Sequence, residues 1–156
     1  MLIVEMTTTF RTFASDYANG TKNEHRRIPI VNQFFNTTFE RDTNLMASFD
    51  YFNKDKTIFA ELKTRNIAHN RWPTALIGQA KVNWADKTKI KNTNTKFYFV
   101  WEYTDGIYYL EYDKEEWKDF ERGDFQRHAR ADINDYPSPV VYVPHQALKK
   151  LEIIPA

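Results

Sequence analysis

An α/β (α+β) domain with a mixed central sheet flanked by helices is the architecture the 156-residue sequence predicts. Three observations lead there. Two stretches carry paired hydrophobic runs around turn residues, the pattern of β-hairpins. The segments before and between them keep helical spacing and open on prolines. The resulting order of helix, strands, helix, strands and a mixed tail fits a single sheet with helices against it. With 42% hydrophobic and 28% charged residues and no repeat, low-complexity tract or linker, residues 1–156 read as one domain, long enough to bury a core without staples.

The elements follow in order. IPIVNQFF is expected to be a helix opening near Pro29. From Leu45 to Arg65, two hydrophobic runs surround the polar tetrapeptide NKDK, predicting a hairpin. In its second arm Ile58, Ala60 and Leu62 alternate with Phe59, Glu61 and Lys63, the period of a strand. PTALIGQAKVNWADK, residues 73–87, reads as one helix, with Pro73 at its first position and Leu76, Ala80 and Asn83 or Trp84 at helical spacing. Gly78 costs that helix a little propensity. KFYFVWEY and IYYLEY flank Thr104-Asp105-Gly106, and Asp-Gly supplies the backbone angles a tight hairpin turn requires. Tyr98, Trp101, Tyr103, Tyr108, Tyr109 and Tyr112 in these arms read as core plus one amphipathic face, with a base-stacking platform as the alternative. VVYVP is expected to be a short strand and HQALKKL a helix.

Several chemistries are excluded. The chain has no cysteine, so it has no disulfide, thiolate metal site or cysteine nucleophile. Four glycines, at positions 20, 78, 106 and 123, draw neither a dinucleotide fingerprint nor a P-loop. Three serines give no G-x-S-x-G elbow. His25, His69, His128 and His145 are scattered, without paired ligand spacing. No apolar run reaches the roughly 20 residues that span a bilayer, and MLIVEM is too short and too acidic for a secretory signal. A cytoplasmic protein with no membrane partner is the expectation. Carboxylate, lysine and histidine chemistry remains.

The informative residues are Asp50, Glu61 and Lys63. Glu61 and Lys63 are two apart on one strand and project from the same face. If NKDK is a four-residue loop, Asp50 faces Phe59 and Glu61 is its diagonal neighbour. If the loop shortens to Asp55-Lys56, Asp50 faces Glu61 directly. Either even-numbered loop sets both carboxylates on one face, about 5–8 Å apart, and an odd one separates them. Two such carboxylates can share a hard cation such as Mg2+, beside a lysine able to orient water or meet charge on a phosphate. The competing reading is a solvated ladder of charges. Against it, Ser48, Phe52 and Phe59 share the face, so the carboxylates are partly covered and need compensation.

Asp50, ten intervening residues, then Glu61-Leu62-Lys63 across a strand-turn-strand resembles the PD-(D/E)XK nuclease superfamily, the restriction-endonuclease-like fold of junction resolvases and phage exonucleases. The resemblance covers roughly residues 20–112. It implies that Asp50 and Glu61 bind catalytic Mg2+, with Mn2+ as a substitute, and that Lys63 assists the attacking water. It also implies a glutamate from the first helix, which Gly20-Thr21-Lys22-Asn23-Glu24 supplies as Glu24, and a glutamine on the second helix, here Gln79. The sequence departs from the family pattern where Phe49 replaces the proline before Asp50 and where Asn83 replaces the tyrosine of Q-x-x-x-Y. Pro29 would interrupt a helix running from Thr21 to Asn36, and Thr21-x-x-Glu24 is equally a capping box.

The implied activity is hydrolysis of phosphodiester bonds in DNA, more than RNA, by an endonuclease that is plausibly a homodimer. A catalytically inactive nucleic-acid-binding protein on the same fold and a partner-binding protein with solvated charges are the alternatives. Charge distribution fits a nucleic-acid substrate. The formal net charge is only +1, yet from Lys63 to Lys96 eight basic residues stand against Asp86 alone. From Glu102 to Asp135 the balance reverses, eleven acidic residues against five basic. Arg65, His69, Arg71, Lys81, Lys87 and Lys89 are the expected contacts to the phosphate backbone.

Overall fold

The computed structural model describes residues 27–44, 48–125 and 138–152. Along them run a helix over 27–35 (α1), β1 (Phe39–Arg41), β2 (Tyr51–Asn53), β3 (Ile58–Thr64), β4 (Thr74–Gly78), α2 (Gln79–Lys91), β5 (Lys96–Tyr103), β6 (Gly106–Glu111), α3 (Lys114–Trp117), β7 (Arg122–Phe125), β8 (Ser138–Pro144), a 3-10 turn (His145–Ala147) and β9 (Lys149–Lys150). A six-stranded sheet has the order β1-β2-β3-β5-β6-β9, and a three-stranded sheet the order β4-β8-β7. In the large sheet β3 and β5 are parallel and the other pairs antiparallel, which makes it mixed. The parallel pair is possible because α2 lies in the connection that carries the chain back to the starting end of the sheet.

Alternation along β3 and β5 sorts side chains to two faces, and both are covered. On one, Ala60, Leu62 and Val100 form a core with Val31 of α1. The Phe35 ring lies tilted against Tyr98, 4.3 Å between centroids, and Phe34 lies 5.0 Å from Tyr109. Helix α1 ends at Asn36 in the left-handed region, φ 50°, with the amides of Asn36 and Thr37 returning to Gln33 and Asn32. On the other face Phe97, Phe99, Trp101 and Leu110 pack beneath Val82 and Ala85 of α2 and Ile77, Val141 and Val143 of the small sheet. The aromatic strip is therefore mainly core: Trp101, Tyr103, Tyr108 and Tyr112 are buried, with Tyr98 and Tyr109 partly buried under α1.

Three expectations are corrected. Residues 73–87 are not one helix: Thr74–Gly78 is a strand whose alternating Ala75 and Ile77 are buried against β8, and α2 begins only at Gln79. Gly78, extended at φ −61° and ψ 131°, is its N-cap. HQALKKL is likewise not a helix; a single 3-10 turn ends at Ala147, and Lys149–Lys150 pairs with Tyr108 and Tyr109 at the sheet edge. In the first hairpin the leading arm is a strand only at Tyr51–Asn53, with bends at 48–50, and positions 45–47 lie outside the described residues. Among the described residues no helix is long and apolar enough to cross a membrane.

Candidate active site

The site is built on the β2–β3 hairpin, and Asn53 fixes its geometry. The buried Asn53 side chain accepts from the Thr57 and Ile58 amides at 2.8 and 3.0 Å and donates to Thr57 Oγ1 at 2.9 Å. Lys56, at φ 55°, completes the turn. The register that follows pairs Tyr51 with Ala60 and Phe52 with Phe59. This is the register of the second of the two alternatives that the sequence left open; Asp50 itself lies in the bend at 48–50, one residue before the paired arm. Asp50 is held from its other side, where its carbonyl accepts the Asp42 amide at 2.7 Å.

Glu61 is buried beside Phe99 on the neighbouring strand. Its carboxylate meets two ammonium groups: Lys81 Nζ lies 2.8 Å from Oε2 and Lys63 Nζ lies 4.0 Å from Oε1. Oε2 is buried and lacks a hydrogen bond of good geometry, and the Lys63 and Lys81 charges together compensate the carboxylate. Lys81 itself is fixed by donating to the Ser48 carbonyl and by lying 5.9 Å from the Phe49 ring centroid. Burial pushes the Glu61 carboxyl up from its ordinary value; Lys63 and Lys81 oppose this and the Asp50 charge reinforces it. Burial pushes the Lys63 ammonium down, with Glu61 opposing and Arg65 and Lys81 reinforcing. Asp50 thus acts electrostatically on both members of the pair. A groove of about 490 Å3 is lined by Asp42, Phe49, Phe52, Lys56, Phe59 and Trp84, with none of Asp50, Glu61, Lys63 and Lys81 in its lining.

Glu61 and Lys63 thus lie side by side with Lys81, and Asp50 stands near enough to act on the charge of both Glu61 and Lys63. Glu24 lies outside the described residues. Gln79 opens α2, where its amide donates to Asn83 Oδ1 at 2.9 Å, one turn along the same helix. Arg65, Arg71 and Lys87 are exposed. Lys89 is partly buried in the last turn of α2. His69 is turned to Asp105, with Nδ1 2.6 Å from Oδ2, and stacks on Tyr108 at 4.2 Å. Lys81 differs from the expected set of phosphate contacts: it points inward onto Glu61. Its role in the cluster is what sequence reasoning missed.

A divalent cation can be tested against these groups. Asp50 and Glu61 are oxygen donors of the type Mg2+ takes, and the buried Glu61 oxygen is satisfied by a cation and not by a hydrogen-bond donor of good geometry. The donor set fits a hard cation. Among the described residues no group of three or more histidines, cysteines or carboxylates is arranged to hold a metal.

Residues 31–151 match the family model described as "Phage putative PDDEXK endonuclease". No curated protein and no solved structure matches the chain. The match spans well over half of the 156 residues, and the chain belongs to this family.

Proposed function

We propose, from that membership, that the protein is a Mg2+-dependent endonuclease hydrolysing phosphodiester bonds in DNA, with Mn2+ able to substitute. Residues 1–156 act as one domain with its core over roughly 20–112. Asp50 and Glu61 hold the cation and Lys63 assists the attacking water; Glu24 completes the donor set and Gln79 orients the substrate or water. The observation that supports the reading is a buried Glu61 with Lys63 on the same strand face and Asp50 near enough to act on the charge of both. A bound Mg2+ supplies Lewis-acid stabilisation of charge on the phosphoryl oxygens and makes water more acidic. Lys63 serves as proton acceptor or as a positive group, because burial lowers its pKa and makes the neutral amine easier to reach. Arg65, Arg71, Lys87 and Lys89 bear on the phosphate backbone beside the site.

The test is cleavage of supercoiled plasmid, linear duplex, single strand, four-way junction and RNA, with Mg2+ and with chelator. Asp50→Asn, Glu61→Gln and Lys63→Ala are each expected to lower metal-dependent cleavage by at least about a hundredfold, the scale of one main electrostatic element. Unchanged cleavage in all three sinks the proposal. One observation favours a second reading, a nucleic-acid-binding protein with an inactive site: the Lys81 ammonium already sits on Glu61. Salt-sensitive binding without cleavage in either metal would establish it.

A further inference from the structure

The segment 65–73, which leaves β3 directly after Lys63 and Thr64, is a pinned loop with an aromatic at its end. The Arg65 amide donates to Glu102 at 2.8 Å, and Ile67 accepts the Thr104 amide at 3.0 Å. His69 is tied twice to Asp105, through its amide at 3.0 Å and its ring at 2.6 Å, while the ring lies flat on Tyr108 with 15° between planes. Pro73 accepts the His145 amide at 3.1 Å. Fixing a loop at so many points costs conformational entropy, and here the residue so presented is not buried. Trp72 is 56% exposed, whereas Trp101 and Trp117 are at 1% and 0%. The Arg71 guanidinium lies 4.7 Å from the Trp72 ring centroid.

A solvent-facing indole with a guanidinium against it matches one chemistry well: a flat base with a phosphate beside it. In a continuous duplex the base faces are occupied by neighbouring bases, so the indole can stack only where a base is unpaired or at an end. We propose that Trp72 stacks on an unpaired base of the nucleic-acid substrate while Arg71 meets its phosphate, biasing the enzyme toward single-stranded, bulged or branched sites. This rests on the nuclease reading and adds a specificity element to it. Glu61 to Thr64 spans about 10 Å of strand, so the loop begins close to the site, on its Lys63 side.

The experiment measures binding by the full chain in chelator, with labelled single strand, fully paired duplex and a duplex carrying a bulge. Trp72→Ala is expected to weaken the single strand and bulge by about fivefold to a hundredfold and the paired duplex by less than about twofold. Trp72→Phe should retain most of the affinity. Single strand should quench the intrinsic fluorescence of the wild type, and Trp72→Phe should lose the Trp72 component; Trp101 and Trp117 are buried, and any quenching that Trp72→Phe retains reports Trp84, which lines the groove. Equal binding of all three nucleic acids by wild type and Trp72→Ala, equal losses on all three, or quenching independent of Trp72 overturns the inference. If the wild type binds and cleaves but Trp72 has no effect, only this inference fails. If the wild type binds none of the three at low salt, the nuclease reading fails with it.

Discussion

Lys81→Met removes the cation closest to a buried carboxylate while keeping much of the aliphatic packing. Taking an effective dielectric of about 20, the Glu61 attraction is about 6 kcal/mol to Lys81 at 2.8 Å and about 4 kcal/mol to Lys63 at 4.0 Å. Both lysines therefore contribute substantially to the compensation, and Lys81 is the closer of the two. Breaking a buried pair costs about 3–5 kcal/mol when nothing replaces the lost partner. With Lys63 remaining, the expected cost is about 2–3 kcal/mol, a fall in melting temperature of roughly 5–10 °C for a domain of this size. The loss should persist at high salt, because a buried pair is weakly screened. Glu61→Gln combined with Lys81→Met should recover part of it, since position 61 then carries no charge, although Lys63 loses its nearest counter-charge. Mg2+ should restore the single variant more than it stabilises the wild type, because a cation at Asp50 and Glu61 supplies the missing charge. Urea and thermal titrations with and without Mg2+ measure all four quantities. A Lys81→Met protein within about 0.5 kcal/mol of wild type in chelator would refute the reasoning.

Burial raises the Glu61 carboxyl above its ordinary 4.5, so just above that pH the folded chain holds a proton that the unfolded chain has lost. Stability of the metal-free protein is therefore expected to fall as pH rises through that window, and Glu61→Gln should remove this component; identical pH profiles by urea titration would contradict it. The buried Tyr112 donates to Asp86 Oδ1 at 2.6 Å and ties α2 to the end of β6. Tyr112→Phe should cost about 2 kcal/mol in thermal unfolding, and a loss under about 0.5 kcal/mol would show that the bond does not anchor the helix. Neutralising the exposed Arg71 and Lys87 should each lower the salt slope of DNA binding by about one, with no change in metal affinity. An unaltered slope would remove those residues from the interface.

Much of the large sheet was legible because its signals are local. In β3 the alternation of Ile58, Ala60 and Leu62 with Phe59, Glu61 and Lys63 survives intact, and Asp105-Gly106 turns β5 into β6, with Gly106 at φ 143°. Such patterns fix which face a side chain takes, and that was enough to set Glu61 and Lys63 on one face; Asp50 stands in the bend before β2, outside the alternating strand. Choosing between the two even registers needed a different interaction. Asn53 takes the Thr57 and Ile58 amides onto its side chain and so selects the Tyr51–Ala60 pairing; a buried asparagine beside a polar turn does not reveal this from sequence.

The small sheet was not legible, because its pairings are non-local. Thr74–Gly78 is five residues joined without a break to a helix, and what makes it a strand is Val140–Pro144, far along the chain. A segment whose only partner is distant carries no local preference strong enough to oppose a continuous helical pattern. The consequence reaches the candidate site. A helix opening at Pro73 would carry Lys81 about 12 Å along its axis, whereas one opening at Gln79 holds it in the first turn, about 3 Å in. Only the second geometry brings its ammonium down onto Glu61 and the Ser48 carbonyl. The pairing of β4 with β8 thus sets where α2 begins, and through it whether the buried carboxylate faces one lysine or two.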